Sequence, residues 1–523
     1  MKIFVTVLFF IISFGIHNSC GKFFENRGNF SNTSKTSQSD SSQEKTNDQS
    51  SKVEEDFLSQ AKEMNSEFYQ NPPVKFREGH ITPKKFDSQN GFQTTKNGYQ
   101  IQLPNKTQIP TPTICNDVLY LSGGFHSKDF YAFDAKTGKN LWSVALDDDG
   151  PSTAACTQEI VIFNTESCTI FAIDAKTGKH LWSHWLGDPL TSTPTIAGNL
   201  VFTSYPSNQF VPKNETQKKE QLYASHVLVA FELSTGKILW QKWIDSDVMS
   251  SPVAEKDGLL YVTTFSGTIY SFKQSDGSIL SAQKTRATSA PVVTGKDVFY
   301  SKRSDTTADK GAFESVTSVG KNLKSKRYES SKKQAKYLDK DIQSKSEYFQ
   351  AAKDMDASNG FTGGAPSSSN PKAAIDNIGY GSVSSMQAFQ GSRILHINKQ
   401  NINTMGDEIT ATDSMDGKKL WSAKLDGDLE RSGGNLASPP AYAGGQIFVS
   451  TLAGKILEIQ PNTGKITKEY DIGTPLRFQP VIYKGNIYVT TQDGKLFAIH
   501  TNNPNYSGWT TWGGNSARTN LPE

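Results

Sequence analysis

Several things are scarce in this chain, and each scarcity excludes something. Only four of the 523 residues are cysteine, at positions 20, 115, 156 and 168, and no two are adjacent. A dense disulfide framework is therefore excluded. The net charge is only +3, which gives no reason to expect nucleic acid as a partner. The eight histidines show no two-ligand spacing on a recognisable helix or strand, so no zinc site is assigned from them. There is no Gly-x-Ser-x-Gly elbow and no phosphate loop. The apolar run Ile3 to Ile16 is shorter than the roughly 20 residues of a membrane span.

What that run does fit is an export signal over residues 1–19, with Lys2 as its charged start. It ends at Ser19-Cys20-Gly21, which resembles the lipobox of bacterial lipoproteins; His17 and Asn18 stand where that pattern prefers Leu and a small residue. The resemblance implies a lipid anchor on Cys20, and hence attachment to the cell envelope at the outer membrane. The alternative is ordinary signal cleavage and a soluble exported protein. Residues 20–51 are rich in Ser, Asn, Gln, Lys and Thr and read as a disordered tether. In the next segment, 52–70, Val53, Phe57, Ala61, Met64 and Phe68 follow at helical spacings and form one apolar stripe. That stripe docks either on a partner or on the chain's own folded part. Residues 71–96 show no clear period and are taken as a linker.

From residue 97 the chain repeats a phrase. Its clearest copies are Tyr131-Ala132-Phe133-Asp134-Ala135-Lys136-Thr137-Gly138-Lys139-Asn140-Leu141-Trp142 and, 40 residues on, Phe171 to Trp182. The phrase reads as strand, turn, strand. Tyr131 and Phe133 alternate with smaller residues, Asp134 initiates the turn, Gly138 supplies positive φ, and the tryptophan gives the outgoing strand an apolar anchor. Further copies align on Gly236, Gly277, Gly320, Gly417 and Gly464, and a decayed eighth has Pro504 at the glycine's place. With its flanking strands, such as Leu259 to Thr263 and Thr268 to Phe272, each unit reads as four antiparallel strands in about 40 residues. The expectation is an all-β, eight-bladed β-propeller over 97–523, monomeric, with an N-terminal tether. Insertions are expected at 206–221 and 325–380. The second contains an amphipathic helix marked by Leu338, Ile342, Phe349, Ala352 and Met355. The ending Gly508 to Asn520, with Trp509, Trp512 and paired glycines, is expected to pack the last blade and close the ring, the alternative being that it lines a binding site.

The phrase at 131–142, with relatives at 171–182, 229–240 and 410–421, resembles the repeat of the quinoprotein-type (PQQ-like) propellers. So does the ending Trp512-Gly513-Gly514-Asn515-Ser516-Ala517-Arg518-Thr519. The family has two relevant branches. Its lipoprotein branch, of the BamB type, implies a non-catalytic scaffold that binds a protein or polymer of the bacterial envelope. Its dehydrogenase branch implies bound pyrroloquinoline quinone and calcium, with adjacent cysteines that this chain lacks. Surface glycan binding or adhesion is a further alternative. The scaffold is the reading adopted, with no catalytic, cofactor or metal residues assigned.

The cysteines and two acidic turns are the remaining candidates for local chemistry. In the blade pattern Cys156 and Cys168 fall at opposite ends of a strand, roughly 15 Å apart, beyond the ~7 Å limit for a disulfide. A Cys115–Cys156 bond between neighbouring blades is geometrically open, and free thiols acting as small core residues are the alternative. The turn Asp147-Asp148-Asp149-Gly150 offers consecutive carboxylates but not the alternating spacing of a calcium loop, and Asp426-Gly427-Asp428 offers less.

Overall fold

A computed structural model describes residues 57–66 and 78–516, apart from 167–168, 187–191, 208–221, 223, 306–310, 340, 342–344, 348–349, 351–370, 379–393, 502, 504–507 and 512. The signal segment, the tether and Cys20 lie outside the described residues. Eight antiparallel sheets follow one another along the chain and form the eight blades of a propeller. Blade 1 runs over 113–146, blade 2 over 155–185, blade 3 over 195–244 and blade 4 over 253–284. Blade 5 runs over 292–334, blade 6 over 394–424 and blade 7 over 441–471. The first strands of successive blades approach one another and surround the axis, and the fourth strands form the rim.

Blade 8 takes strands from both ends of the chain. Its first three strands are Val481–Tyr483, Asn486–Thr490 and Lys495–His500, and its fourth is Gly98–Gln102. There is consequently no turn after the third strand, which explains why the eighth copy of the phrase decays at Pro504. The segment 71–96, read as a linker, supplies two outer strands. Phe92–Thr95 extends blade 8, and Ile81–Lys84 pairs with Asn140–Leu146 of blade 1.

The repeated phrase is a hairpin with a built-in inter-blade contact. In blade 1, Asp134 Oδ1 accepts the backbone N–H and the hydroxyl of Thr137 at 2.8 and 2.6 Å. Gly138 follows at φ +69° and donates to the Asp134 carbonyl. The register then slips between Ala132 and Phe133, so that Leu141 is the extra residue of a bulge. The same slip recurs in blades 2 to 7. It places Leu141, Leu181, Leu239, Leu280 and Leu420 at one position, each 40–48% exposed. In blades 2 to 7, where the bulged strand is outermost, the bulge also blunts an edge that could pair with another sheet.

The residue after the bulge points the other way, toward the next blade. Trp142, Trp182, Trp240 and Trp421 each donate an indole N–H to a turn carbonyl there, those of Ala175, Leu233, Gln274 and Pro461. Their rings lie against Gly178, Gly236, Gly277 and Gly464, where a Cβ would overlap them. Tyr328 stands against Gly417 and Tyr99 against Gly138 in the same way. Blade 5 corrects the sequence alignment. Its slip falls between Ser318 and Val319, so Gly320 corresponds to Asp134 rather than to Gly138, and Leu323 takes the left-handed conformation there.

The helix at 57–66, here α1, docks on the chain's own propeller. Phe57 and Ala61 pack among Leu228, Trp240 and Ile244, and Met64 packs among Trp182, Tyr205 and Trp243. Asn65 both donates to and accepts from the backbone of Trp243, and Gln60 accepts the N–H of Leu222.

The insertion expected at 325–380 begins later, because Lys326–Glu329 is the fourth strand of blade 5. Of the residues expected to mark its helix, Leu338 lies in a single 3₁₀ turn, Lys336–Leu338. Ile342, Phe349, Ala352 and Met355 lie outside the described residues. Asp341, Lys345, Glu347 and Gln350 nearby are helical. A second helix, α2 (Pro371–Ile378), lies at the end of the expected insertion.

Candidate functional site

Strand order assigns every connection to one of two faces. The turns between second and third strands share a face with the crossings from one blade to the next, and the remaining turns share the opposite face. The connection after Pro206 and the crossing from blade 5 to blade 6 therefore leave the propeller on one face. Of the first expected insertion, Pro206 ends a strand of blade 3 and residues 208–221 lie outside the described residues. From the second, α2 packs Ala374 and Ile378 against Met249 and Phe265. Asn377 donates to the carbonyls of Phe265 and Ala287, Arg303 donates to the carbonyls of Asn377 and Leu338, and Arg286 donates to that of Asp376. The insertion is thus fastened across blades 4 and 5.

Buried carboxylates beneath this face are bonded by side chains of the adjoining blades. Asp245 accepts from Thr264, Thr268 and Tyr270 and lies 3.3 Å from Lys284 Nζ. Burial and this carboxylate push the Tyr270 hydroxyl well above its ordinary range. Glu314 accepts from Thr288 and Tyr337, and Asp247 accepts from Ser204. The same face carries Asp147 to Gly150, joined by two residues that sequence reading passed over, His126 and Glu166. Glu166 Oε1 accepts the N–H of His126 at 2.8 Å and lies 2.7 Å from its ring Nδ1. Asp148 accepts from Thr165 Oγ1 at 2.7 Å, and burial pushes its carboxyl up. By contrast, Asp428 of Asp426-Gly427-Asp428 accepts the N–H groups of Glu430 and Arg431 and organises a turn.

At the opposite end of the axis, Cys115 and Cys156 are joined by a disulfide with their Cα atoms 6.4 Å apart. The two residues close the first strands of blades 1 and 2, and the bond links those blades. Cys168 lies outside the described residues. The C-terminal segment also runs along these strand ends. Trp509 pairs with Tyr442 of blade 7, Ile482 of blade 8 donates to Thr510, and Cys156 of blade 2 donates to Ser516. The expectation that this segment packs the last blade is corrected in part. It crosses from blade 7 over blade 8 to blade 2, and the closing strand comes from residues 98–102.

A family model described as "Outer membrane protein assembly factor BamB" matches residues 126–220, 224–316 and 406–511, more than half of the chain. The chain belongs to that family. Among solved structures, BamB from Moraxella catarrhalis is 13% identical, with 78% of this chain and 99% of that one covered at a TM-score of 0.48. A computationally designed protein is 12% identical, with 76% and 98% covered at 0.49. A quinohemoprotein alcohol dehydrogenase from Pseudomonas putida is also 12% identical, with 76% and 71% covered at 0.44. No curated protein sequence matches. Membership fixes a PQQ-like propeller, and one such fold hosts different functions.

Proposed function

We propose that the protein is a non-catalytic scaffold of the bacterial cell envelope, held by a lipid on Cys20, that binds an envelope protein through its insertion-bearing face. The observation that carries this reading is that both long connections leave the propeller on one face, with α2 fastened there by Asn377, Arg303 and Arg286. Loops displayed on a rigid scaffold are where binding residues concentrate. Family membership supports an envelope setting, and the lipobox-like Ser19-Cys20-Gly21 supports the anchor.

Two measurements test it. Intact mass of protein from its native membrane fraction should begin at Cys20 and carry a diacylglyceryl group; an unlipidated mass would remove the anchor. Photo-crosslinking residues at Lys345 and Glu347 in the insertion should capture one envelope protein. The same probe at Lys136 and Lys176, in turns of the opposite face, should not. Equal capture from both faces, or none from the insertion, would overturn the proposed binding face.

A further inference from the structure

His126, Asp149 and Glu166 come from three connections of blades 1 and 2. His126 follows the second strand of blade 1, Asp149 lies in the crossing between the blades, and Glu166 follows the second strand of blade 2. One ligand atom of each lies within 4.8 Å of the others. The Glu166 side chain is 2% exposed. Its backbone N–H is bound by the carbonyls of Asp149 and Gly150. Gly150, at φ +63°, leaves room for the carboxylate where a Cβ would collide with it. Oε1 is bonded to His126, but Oε2 is buried and meets no hydrogen-bond donor among the described residues. A buried carboxylate oxygen without a donor is costly and calls for a partner, such as an ion. Asp148, next to Asp149, is held by Thr165, so the carboxylates that meet the imidazole are those of Asp149 and Glu166.

We propose that His126, Asp149 and Glu166 bind one divalent transition-metal cation of the Zn²⁺ or Mn²⁺ class, with Glu166 Oε2 as a ligand. One imidazole nitrogen and two carboxylate oxygens suit that class. Calcium would require six to eight oxygens. Three protein ligands leave at least one position to water. The ion ties the loops of blade 1 to those of blade 2, on the face opposite the Cys115–Cys156 bond. The ligating ring nitrogen must be unprotonated, so binding releases a proton and tightens as pH rises. Asp149 and Glu166 are the titratable groups that face this imidazole, and their negative charge attracts a dication, which competes with the proton for the ring nitrogen.

The test is calorimetric titration of the full chain, stripped with chelator, with Zn²⁺, Mn²⁺ and Ca²⁺ in turn at pH 7.5 and 5.5. One Zn²⁺ or Mn²⁺ per chain is expected, bound more tightly at pH 7.5. Glu166→Gln and Asp149→Asn should each weaken binding by more than about tenfold. Bound Co²⁺ should show visible bands that His126→Gln abolishes. Near-ultraviolet circular dichroism checks that each variant is folded; if Glu166→Gln is not, the more exposed Asp149→Asn decides. No stoichiometric binding, unchanged affinity in the folded variants, or binding of Ca²⁺ alone would overturn the site.

Discussion

The indole of Trp142 lies against Gly178, the turn glycine of the next blade, with its Cε3 2.7 Å from where a Cβ would stand. The glycine is thus required twice, by its left-handed backbone at φ +69° and by the ring above it. Gly178→Ala should cost about 2–3 kcal/mol in urea unfolding, from backbone strain plus overpacking. In a Trp142→Ala background the same substitution should cost only about 1 kcal/mol, because the overlap is gone. Additive costs would show that the pair does not interact.

That pairing also shows how far the sequence could be read. Trp142, Trp182, Trp240 and Trp421 each precede a blade whose turn has the left-handed glycine. Blade 4 carries Ser281 at the tryptophan's position and blade 7 carries Lys468. The blades after them lack that glycine turn: blade 5 has Leu323 left-handed, and blade 8 has no turn there. The phrase was legible because local turn chemistry recurs, and it carried the blade number. What it concealed was that its tryptophan and its glycine serve different interfaces. Tyr99 was missed as the eighth member because its partners, Ala135 and Ala498, are remote in sequence. Glu166 and His126 were missed for a similar reason. Asp147 to Gly150 is a continuous run and so is visible in the sequence, whereas the cluster is assembled from three loops.

Cys115 and Cys156 close a loop with a sequence separation of 41. Restricting the unfolded chain in this way should stabilise the fold by roughly 4 kcal/mol. A non-reducing peptide map should recover the linked pair. Reduction, or Cys115→Ala with Cys156→Ala, should lower the urea midpoint by the corresponding amount.

His226 is fully buried in blade 3 beside Ser225, and burial pushes its imidazole down to about 3. The folded protein keeps this ring neutral, while the unfolded chain takes up a proton below about pH 6.5. The stability due to the neutral ring is therefore fully present above that pH and is lost as pH falls toward about 3. Chemical denaturation across this window should show His226→Gln losing less stability than the parent, by up to a few kcal/mol.

Phe57, Ala61 and Met64 of α1 are buried against blades 2, 3 and 4. Phe57→Ala and Met64→Ala should each weaken this docking by about 2–4 kcal/mol. Hydrogen exchange should then quicken at 57–66 and around Trp243, while the blades on the far side of the ring stay protected. Unchanged exchange would remove α1 from the folded unit.

The five bulge leucines, 141, 181, 239, 280 and 420, face solvent. Replacing each by Gln should change stability by less than about 0.5 kcal/mol, because none fills the core. A combined variant should unfold near the parent temperature.

Blade 8 joins Gly98–Gln102 to Lys495–His500. A ribosome delivers these two strands at opposite ends of its work. Until the last residues arrive, Tyr99 has no third strand to lie beside, and Gly138 has no ring above it. The growing chain is therefore an unlatched arc with one raw edge at each end. It becomes a closed body in a single late step, so truncation by even the last 30 or so residues would leave the whole circle open.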